Sequence, residues 1–502
     1  MNQNPPSPAV VPERPPLAIL GVPFDPLTTD ETVALIARMI SSGLPHYLAT
    51  ANVDFVVQAS EDVELRRILF DAHAVLCDGM PLVWASRKLG NPLPERVTGS
   101  DLVPRLLREA EERGWRVYFL GGTDASVAAA AANTQKKHPK LKLVGAYSPP
   151  FKPLLEMDHE GILARIREAK PDLLFVAFGC PKQEKWINMH YRRMGVPVSI
   201  GVGATIDFLA GTVKRAPVWM QKTGLEWIFR MLQEPRRLAK RYGKDLWVFG
   251  MAIQRQVRDS RVRRAARKPE RAMGAKATVI PVVSAGVAPG RPVPKVQRLE
   301  GPERLDAAAA GDLRNVWVSA VEGGDVVLDL GSTQFADSTG IGLLTRLRRQ
   351  ARESGREFRL AAVGSRIGDS LRLMQLESFF QVFGSVEEAT ASIEEQRRQQ
   401  APVAVAPETA EVQWQGDITA VTADSVASVA LPLIEAKAAG SRLAVDLSGV
   451  AFVDSTGVGM MLKLKKAAKR RGVDLVYEKA APAVLNVLKL TKLDEFLLGR
   501  RA

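Results

Sequence analysis

The stretch DLGSTQFADSTGIG, beginning at Asp329, returns 117 positions later as DLSGVAFVDSTGVG, beginning at Asp446. The spacing holds through Phe335 and Phe452, Asp337 and Asp454, Ser338 and Ser455, and Gly342 and Gly459. Two copies at so long a period exclude a solenoid, which needs several short units. They specify a duplicated domain of roughly a hundred residues. Each copy reads as a strand (VVLDL, 326–330; LAVDL, 443–447), a short connection, DSTG opening a helix, a further strand and a second amphipathic helix. Pro, Gly and Arg crowd residues 256–295, and 394–408 is a second, shorter tract, so both read as linkers. The expected division is a leader (1–16), a block at 17–255, a linker (256–295), a repeat at 296–393, a linker (394–408) and a repeat at 409–502. The leader MNQNPPSPAVVPERPP lacks the basic start and apolar core of a secretion signal and reads as disordered.

Within 17–255, short apolar runs alternate with helical patterns. The runs are HYLAT (46–50), AVLCD (74–78), RVYFLGG (116–122), KLVGAY (142–147), LLFVAFG (173–179) and VSIGVG (198–203). Such alternation predicts an α/β fold, a Rossmann-like parallel sheet with helices on both faces. Ligands of these sheets sit beyond the carboxyl ends of the strands. The residues to examine are therefore Thr50 and Asn52, Asp78, Gly121 and Gly122, Gly179 to Glu184, and Gly203 to Asp207. Glycines there let a backbone approach a ligand, and the helix N-termini that follow favour anions such as a diphosphate. Each glycine turn has a plain alternative as a tight strand-to-helix connection.

Charge is local. The chain carries a formal +14, yet residues 211–271 alone hold 17 Lys/Arg against 5 Asp/Glu. Residues 219–233 are apolar nearly all round, which predicts a partly buried helix, and Pro235 is expected to break it. Beyond the break Arg237, Lys240, Arg241 and Lys244 recur at helical spacing on one face. Basic residues near an anionic bilayer contribute on the order of 1 kcal/mol each. A membrane surface is the expected partner, ahead of a merely solvated face. Nucleic acid is not expected, because the tryptophans precede the basic stretch instead of interleaving with it. No apolar run approaches the ~20 residues of a spanning helix. Only two cysteines, Cys77 and Cys180, occur, which favours a reducing, cytoplasmic setting over a disulfide scaffold.

The set YLATANVDFVV, LCDGMP, RVTGSDL, FLGG, GCPKQEKWI, GVGATIDFLAG and RAPVWMQKTGLEWIFRMLQEPRRLAKRY resembles, in order across about residues 17–250, the WecG/TagA/CpsF family of bacterial glycosyltransferases. The resemblance implies inverting, metal-independent transfer of a hexosamine or related sugar from a UDP-sugar to a polyprenyl-diphosphate-linked acceptor. The setting it implies is cell-surface or exopolysaccharide synthesis at the inner face of the cytoplasmic membrane. The residues agree about metal: there is no Asp-x-Asp, and five histidines are scattered, so neither metal nor cofactor is expected. Asp78 matches the family's proposed catalytic Asp and is the expected general base, with a helix cap as its plain alternative. Asp207 is the runner-up. Thr50, Asn52 and Gln183 match positions near the reacting sugar. Arg96 and Lys182 are expected to meet the charge of the UDP, with Gly121, Gly122, Gly179, Glu184, Gly203 and Asp207 around the donor. In the family the C-terminal appendage docks on membrane and completes the site, which implicates Arg230, Arg236, Arg237, Lys240, Arg241 and Lys244. Cys180 reads as a packed residue, since no histidine lies near it in sequence.

The two repeats resemble STAS domains, small α/β modules found in anti-sigma factor antagonists and anion-transporter tails. In the antagonists a partner kinase phosphorylates the Ser after the Asp, which corresponds to Ser338 and Ser455 here. A phosphate adds about −2 of charge at a helix N-terminus. The plain alternative is that Asp-Ser-Thr caps the helix. The second repeat, which also carries GDITAVTA (416–423), is the closer match; the first is expected to serve dimerisation or contact with the enzyme. An oligomer is expected. The leading function is a glycosyltransferase with a regulatory or scaffolding STAS tail. The alternative is a non-catalytic signalling scaffold working by STAS partner switching.

Overall fold

A computed structural model describes residues 10, 12–213, 215–223, 226–233, 235–265, 279–281, 296–377, 379–399 and 411–498. Six strands in the first block form one wholly parallel sheet. Its spatial order is Ala74–Cys77, His46–Ala51, Val198–Gly201, Leu173–Ala177, Arg116–Gly121, Lys142–Tyr147. These are the six apolar runs: Lys142–Tyr147 keeps its expected limits, and the other five start where expected and end one or two residues from their expected limits. Alternate residues fill separate cores. Tyr47, Ala49, Tyr118, Leu120, Leu174 and Val176 pack on one face. Leu48, Leu76, Phe119, Phe175 and Ile200 pack on the other. Burial of both faces explains why the runs are continuously apolar rather than alternating.

The C-terminal arm of the block departs from expectation. Helices Val218–Thr223 and Glu226–Gln233 replace the single helix, and Pro235 opens the next helix, Pro235–Ala265, instead of ending one. Proline suits a first helical turn, where its missing N–H has no partner to lose. This long helix runs through the start of the expected linker and packs back on the block, burying Phe249, Ile253 and Val257 in the same core as Phe55 and Leu82. Strand Val279–Pro281 also falls inside the expected linker and pairs antiparallel with Gln297–Glu300.

The first repeat holds a five-stranded sheet and the second a three-stranded one. Asp337 and Asp454 are the N-caps of helices Ser338–Glu353 and Ser455–Arg470. Asp337 Oδ1 accepts from Thr339 and Gly340 N–H, and Asp454 Oδ1 accepts from Gly457 N–H. The glycines of DSTGxG then divide their work. A Cβ on Gly340 or Gly457 would strike Leu305 O or Ile418 O of the same repeat. A Cβ on Gly342 would strike Pro16 O, at the end of the expected leader where it enters the first block, and one on Gly459 would reach Leu155 within that block. Each motif helix thus lies flush on its own sheet and on the first block together.

Candidate active site

A cavity of ≈ 490 Å³ opens at the carboxyl ends of five of the six strands. Thr50 and Asn52 follow His46–Ala51, Asp78 follows Ala74–Cys77, Gly122 follows Arg116–Gly121, Gly179 and Gln183 follow Leu173–Ala177, and Gly203 and Asp207 follow Val198–Gly201; all line it. The edge strand Lys142–Tyr147 contributes nothing to the wall.

The side chains there have separable parts. Asp78 is not a helix cap: the following helix, Met80–Leu89, is entered through Gly79, at φ 157°, with no side-chain cap. Asp207 lies in the first turn of Thr205–Ala210, whose cap is Ala204. Thr50 Oγ donates to Gly201 O at 3.0 Å. Asn52 lines the cavity and caps helix Val53–Glu61 through Oδ1, which accepts from Phe55 N–H at 3.2 Å. Gln183 is buried, and both ends of its carboxamide are engaged. Its Oε1 accepts from Gly179 and Gly203 N–H, each at 3.2 Å, and its Nε2 donates to Glu184 Oε1 at 2.7 Å. Gln183 is a positioning residue that ties two rim loops together.

That clamp changes the expected role of the glycines. The N–H groups of Gly179 and Gly203 point at Gln183, and Gly122 N–H donates to Ala177 O at 3.0 Å. These amides are therefore engaged within the protein and are not open to a diphosphate. The glycines supply room: at φ 105°, a Cβ on Gly121 would lie 2.6 Å from Ala177 O. Two further expected donor residues stand off the wall. Lys182 Nζ donates to Lys152 O at 2.6 Å and lies over the rings of Phe151 and Phe178. Glu184 is buried behind Gln183, and burial pushes its carboxyl up to about 7. Burial likewise pushes the Cys77 and Cys180 thiols upward, so neither is a thiolate nucleophile.

Arg96 lines the cavity in the grip of two carboxylates, Asp101 at 3.1 Å and Glu226 at 3.1 Å. Arg215 completes the network, 2.6 Å from Asp101 and 3.3 Å from Glu226. Glu226 comes from the C-terminal arm, so this cluster fastens the arm to the rim. Asp54, Glu226 and Asp245 also line the cavity and were missed by sequence reasoning. Asp54 sits two residues past Asn52, within the first turn of its helix, which was signal enough. Glu226 and Asp245 lie far along the chain and carried none.

The arm exposes Trp219, Leu232 and Trp247. Lys244 is exposed and pairs with Glu61 at 3.2 Å. The side chains of Arg230, Arg236, Arg237, Lys240 and Arg241 lie outside the described residues. Among the described residues no helix is long and apolar enough to cross a membrane. No group of three His, Cys, Asp or Glu there is placed to hold a metal ion.

The two motif serines are covered by the first block. Ser338 is buried, and its Oγ accepts from Gln256 Nε2 of the long arm helix at 3.2 Å. Ser455 is buried against helix Val63–Asp71, giving both its N–H (2.5 Å) and its Oγ–H (2.8 Å) to the Glu64 carboxylate. Lys185 balances Glu64 at 2.9 Å. The same short helix serves both repeats. Arg67 pairs with Asp417 of the second at 2.5 Å, and Arg66 donates to Gln375 O of the first at 2.9 Å. Phe70 stacks on Phe379 with ring centroids 4.6 Å apart. A modifying enzyme reaches either serine only after the repeat lifts away.

Asp454 gives this docking a pH dependence. Burial first, and Glu64 second, push its carboxyl from 3.8 up to about 7, against Arg352, which favours the charged form. The docked state therefore holds a proton that a solvent-exposed Asp454 releases. Docking strength from this group is fully present below about pH 4 and is lost as pH rises through about 7. Amide exchange in Val63–Asp71 is expected to be faster at pH ~8 than at pH ~5.5, after correction for the intrinsic rate, and Asp454→Asn should flatten that difference. Equal protection at both pH values in the wild type would refute it.

Comparison with known proteins gives a consistent result. The profile of the Glycosyl transferase WecG/TagA/CpsF family matches residues 17–263. A STAS domain profile matches residues 287–389, and one described as Mlab, STAS domain matches 402–499. The N-acetylglucosaminyldiphosphoundecaprenol N-acetyl-beta-D-mannosaminyltransferase of Staphylococcus aureus (strain MW2) is 30% identical over 236 residues, 47% of this chain and 91% of that protein. The protein of the same description from strain NCTC 8325 matches at the same identity and coverage. Among solved structures, an anti-sigma-factor antagonist (STAS) domain protein from Planctomyces limnophilus is 21% identical, covering 20% of this chain and 91% of that one, with a TM-score of 0.19. The chain belongs to the WecG/TagA/CpsF family of glycosyltransferases and carries two STAS domains behind its transferase block.

Proposed function

We infer that the protein moves a hexosamine of the N-acetylmannosamine type, with inversion, from a UDP-sugar to a polyprenyl-diphosphate-linked sugar. The observation that carries this reading is the cavity itself, with Asp78 at a strand end on its wall and not committed to a helix cap. Asp78 takes the proton of the acceptor hydroxyl as that oxygen attacks the anomeric carbon. The bond from that carbon to UDP breaks on the opposite side, and UDP leaves. Arg96 meets the leaving diphosphate by exchanging Asp101 and Glu226 for phosphate oxygens, helped by Arg215. Asn52 orients the sugar, while Thr50 and Gln183 hold the loops that shape its pocket.

A lipid-linked acceptor requires a membrane surface within reach. Exposed Trp219, Leu232 and Trp247 on the arm, together with its basic residues, support peripheral docking at the cytoplasmic face. The STAS domains regulate the transferase through helix Val63–Asp71. Asp62, the C-cap of the helix that Asn52 begins, is also the N-cap of Val63–Asp71, so one residue joins the docking helix to a cavity helix. The test is UDP release by the full chain with UDP-N-acetylmannosamine and a short polyprenyl-diphosphate-GlcNAc acceptor, in EDTA. Acceptor-dependent release is expected. UDP binding without release from any UDP-hexosamine or UDP-hexosaminuronic acid would instead favour a non-catalytic scaffold.

A further inference from the structure

The transferase block and both STAS domains meet around a second, smaller cavity of ≈ 40 Å³. Four arginines line it: Arg192 and Arg193 from the block, Arg349 and Arg352 from the first STAS domain. Three are accounted for. Arg352 pairs with Asp71, Arg193 with Glu160 at 3.0 Å, and exposed Arg192 donates through Nε to the Tyr191 hydroxyl at 2.7 Å. Arg349 is different. It is 6% exposed, and its Nη1 donates to Ala72 O, but its Nε and Nη2 have no hydrogen-bond partner. The nearest carboxylate oxygen, Glu353 Oε1, stands 3.7 Å from Nε and is shared with His73 Nε2 at 3.4 Å.

A buried guanidinium with open donors is costly unless something fills them. The carboxyls on this wall do so poorly. Burial pushes the Glu353 carboxyl up and leaves its Oε2 without a hydrogen-bond partner, Asp454 is pushed up to about 7, and Asp71 is taken by Arg352. The cavity has room for roughly three waters, or one small tetrahedral ion in their place. Guanidinium groups bind such oxyanions through paired N–H donors.

We propose that this three-domain junction binds a free oxyanion of phosphate size, held by Arg349 inside and Arg192 at the mouth. Because the wall is drawn from all three domains, the ion favours their docked arrangement by mass action. The probe is inorganic phosphate, titrated into the full chain by calorimetry and by thermal unfolding, with chloride at matched ionic strength. Wild type is expected to bind phosphate saturably and to melt higher with it, and chloride to do neither. Arg349→Met should abolish the saturable response. Arg192→Ala, an exposed change that leaves the packing intact, should weaken it about tenfold. Arg96→Ala should leave it unchanged, which separates this site from the large cavity. Absence of saturable binding, an equal response to chloride, or loss in Arg96→Ala but not in Arg192→Ala would overturn the proposal.

Discussion

Asp78→Asn is expected to lower kcat for acceptor-dependent UDP release by about 10²–10⁴-fold, with UDP affinity changed by less than about threefold. Asp54, Asp207, Glu226 and Asp245 are the other carboxylates on the wall, and Glu226 is held by Arg96 and Arg215; the uncharged neighbours and the thiols offer no base. Thr50 is tied to Gly201, Gln183 is engaged at both ends, and the Asn52 oxygen caps a helix. Neither Cys77 nor Cys180 ionises readily where it is buried. Asparagine keeps the shape of Asp78 and removes its basicity, and the following helix draws no cap from this side chain. Asp207→Asn, run in parallel, is expected to act more mildly and on KM. Full activity in Asp78→Asn with collapse in Asp207→Asn would transfer the role to Asp207.

The second large effect concerns Asp25 and Arg346, an ion pair across the junction of the block and the first STAS domain. Both side chains are at most 3% exposed. Arg346 also donates to Pro12 O and Arg14 O, and Asp25 accepts from Val75 N–H. Burial is the largest influence on each partner. It pushes Asp25 up and Arg346 down to about 10, so desolvation outweighs mutual attraction on both sides. Such a pair adds little net stability, yet breaking it strands a charge. Asp25→Ala is expected to cost about 3–5 kcal/mol, while Asp25→Leu with Arg346→Met together should cost about 1 kcal/mol or less. Denaturant midpoints for the two single variants and the double variant measure this. A single variant as stable as wild type would mean that water already reaches the pair.

The parallel sheet was legible because five of its six strands are buried on both faces and so read as unbroken apolar runs, while the edge strand Lys142–Tyr147 is only half-buried. The rim followed from the rule that ligands meet strand ends, and Thr50, Asn52, Asp78, Arg96 and Asp207 do share one cavity. What sequence could not give was which hydrogen bonds each group had already made. Lys182 looked like a phosphate ligand and instead holds a carbonyl, and two rim amides face Gln183. Pro235 looked like a stop and is a start. Helix VELRRILFD drew no reading from the sequence. Residues 64–70 are in fact all buried: Leu65, Ile68 and Leu69 pack in the core of the block and Phe70 in that of the first STAS domain, while Glu64, Arg66 and Arg67 find polar partners on the two STAS domains.

That helix makes the two STAS domains interdependent. Arg66, Arg67 and Glu64 occupy little more than one turn, yet they engage both. Residues 400–410 tether the second domain to the first. Rebinding after release is therefore intramolecular, at a local concentration set by the covalent connection. A soluble competitor for the Ser455 surface has to outbid that local concentration. Release of the first domain would loosen the second as well, so the tail should leave the transferase as one cooperative unit.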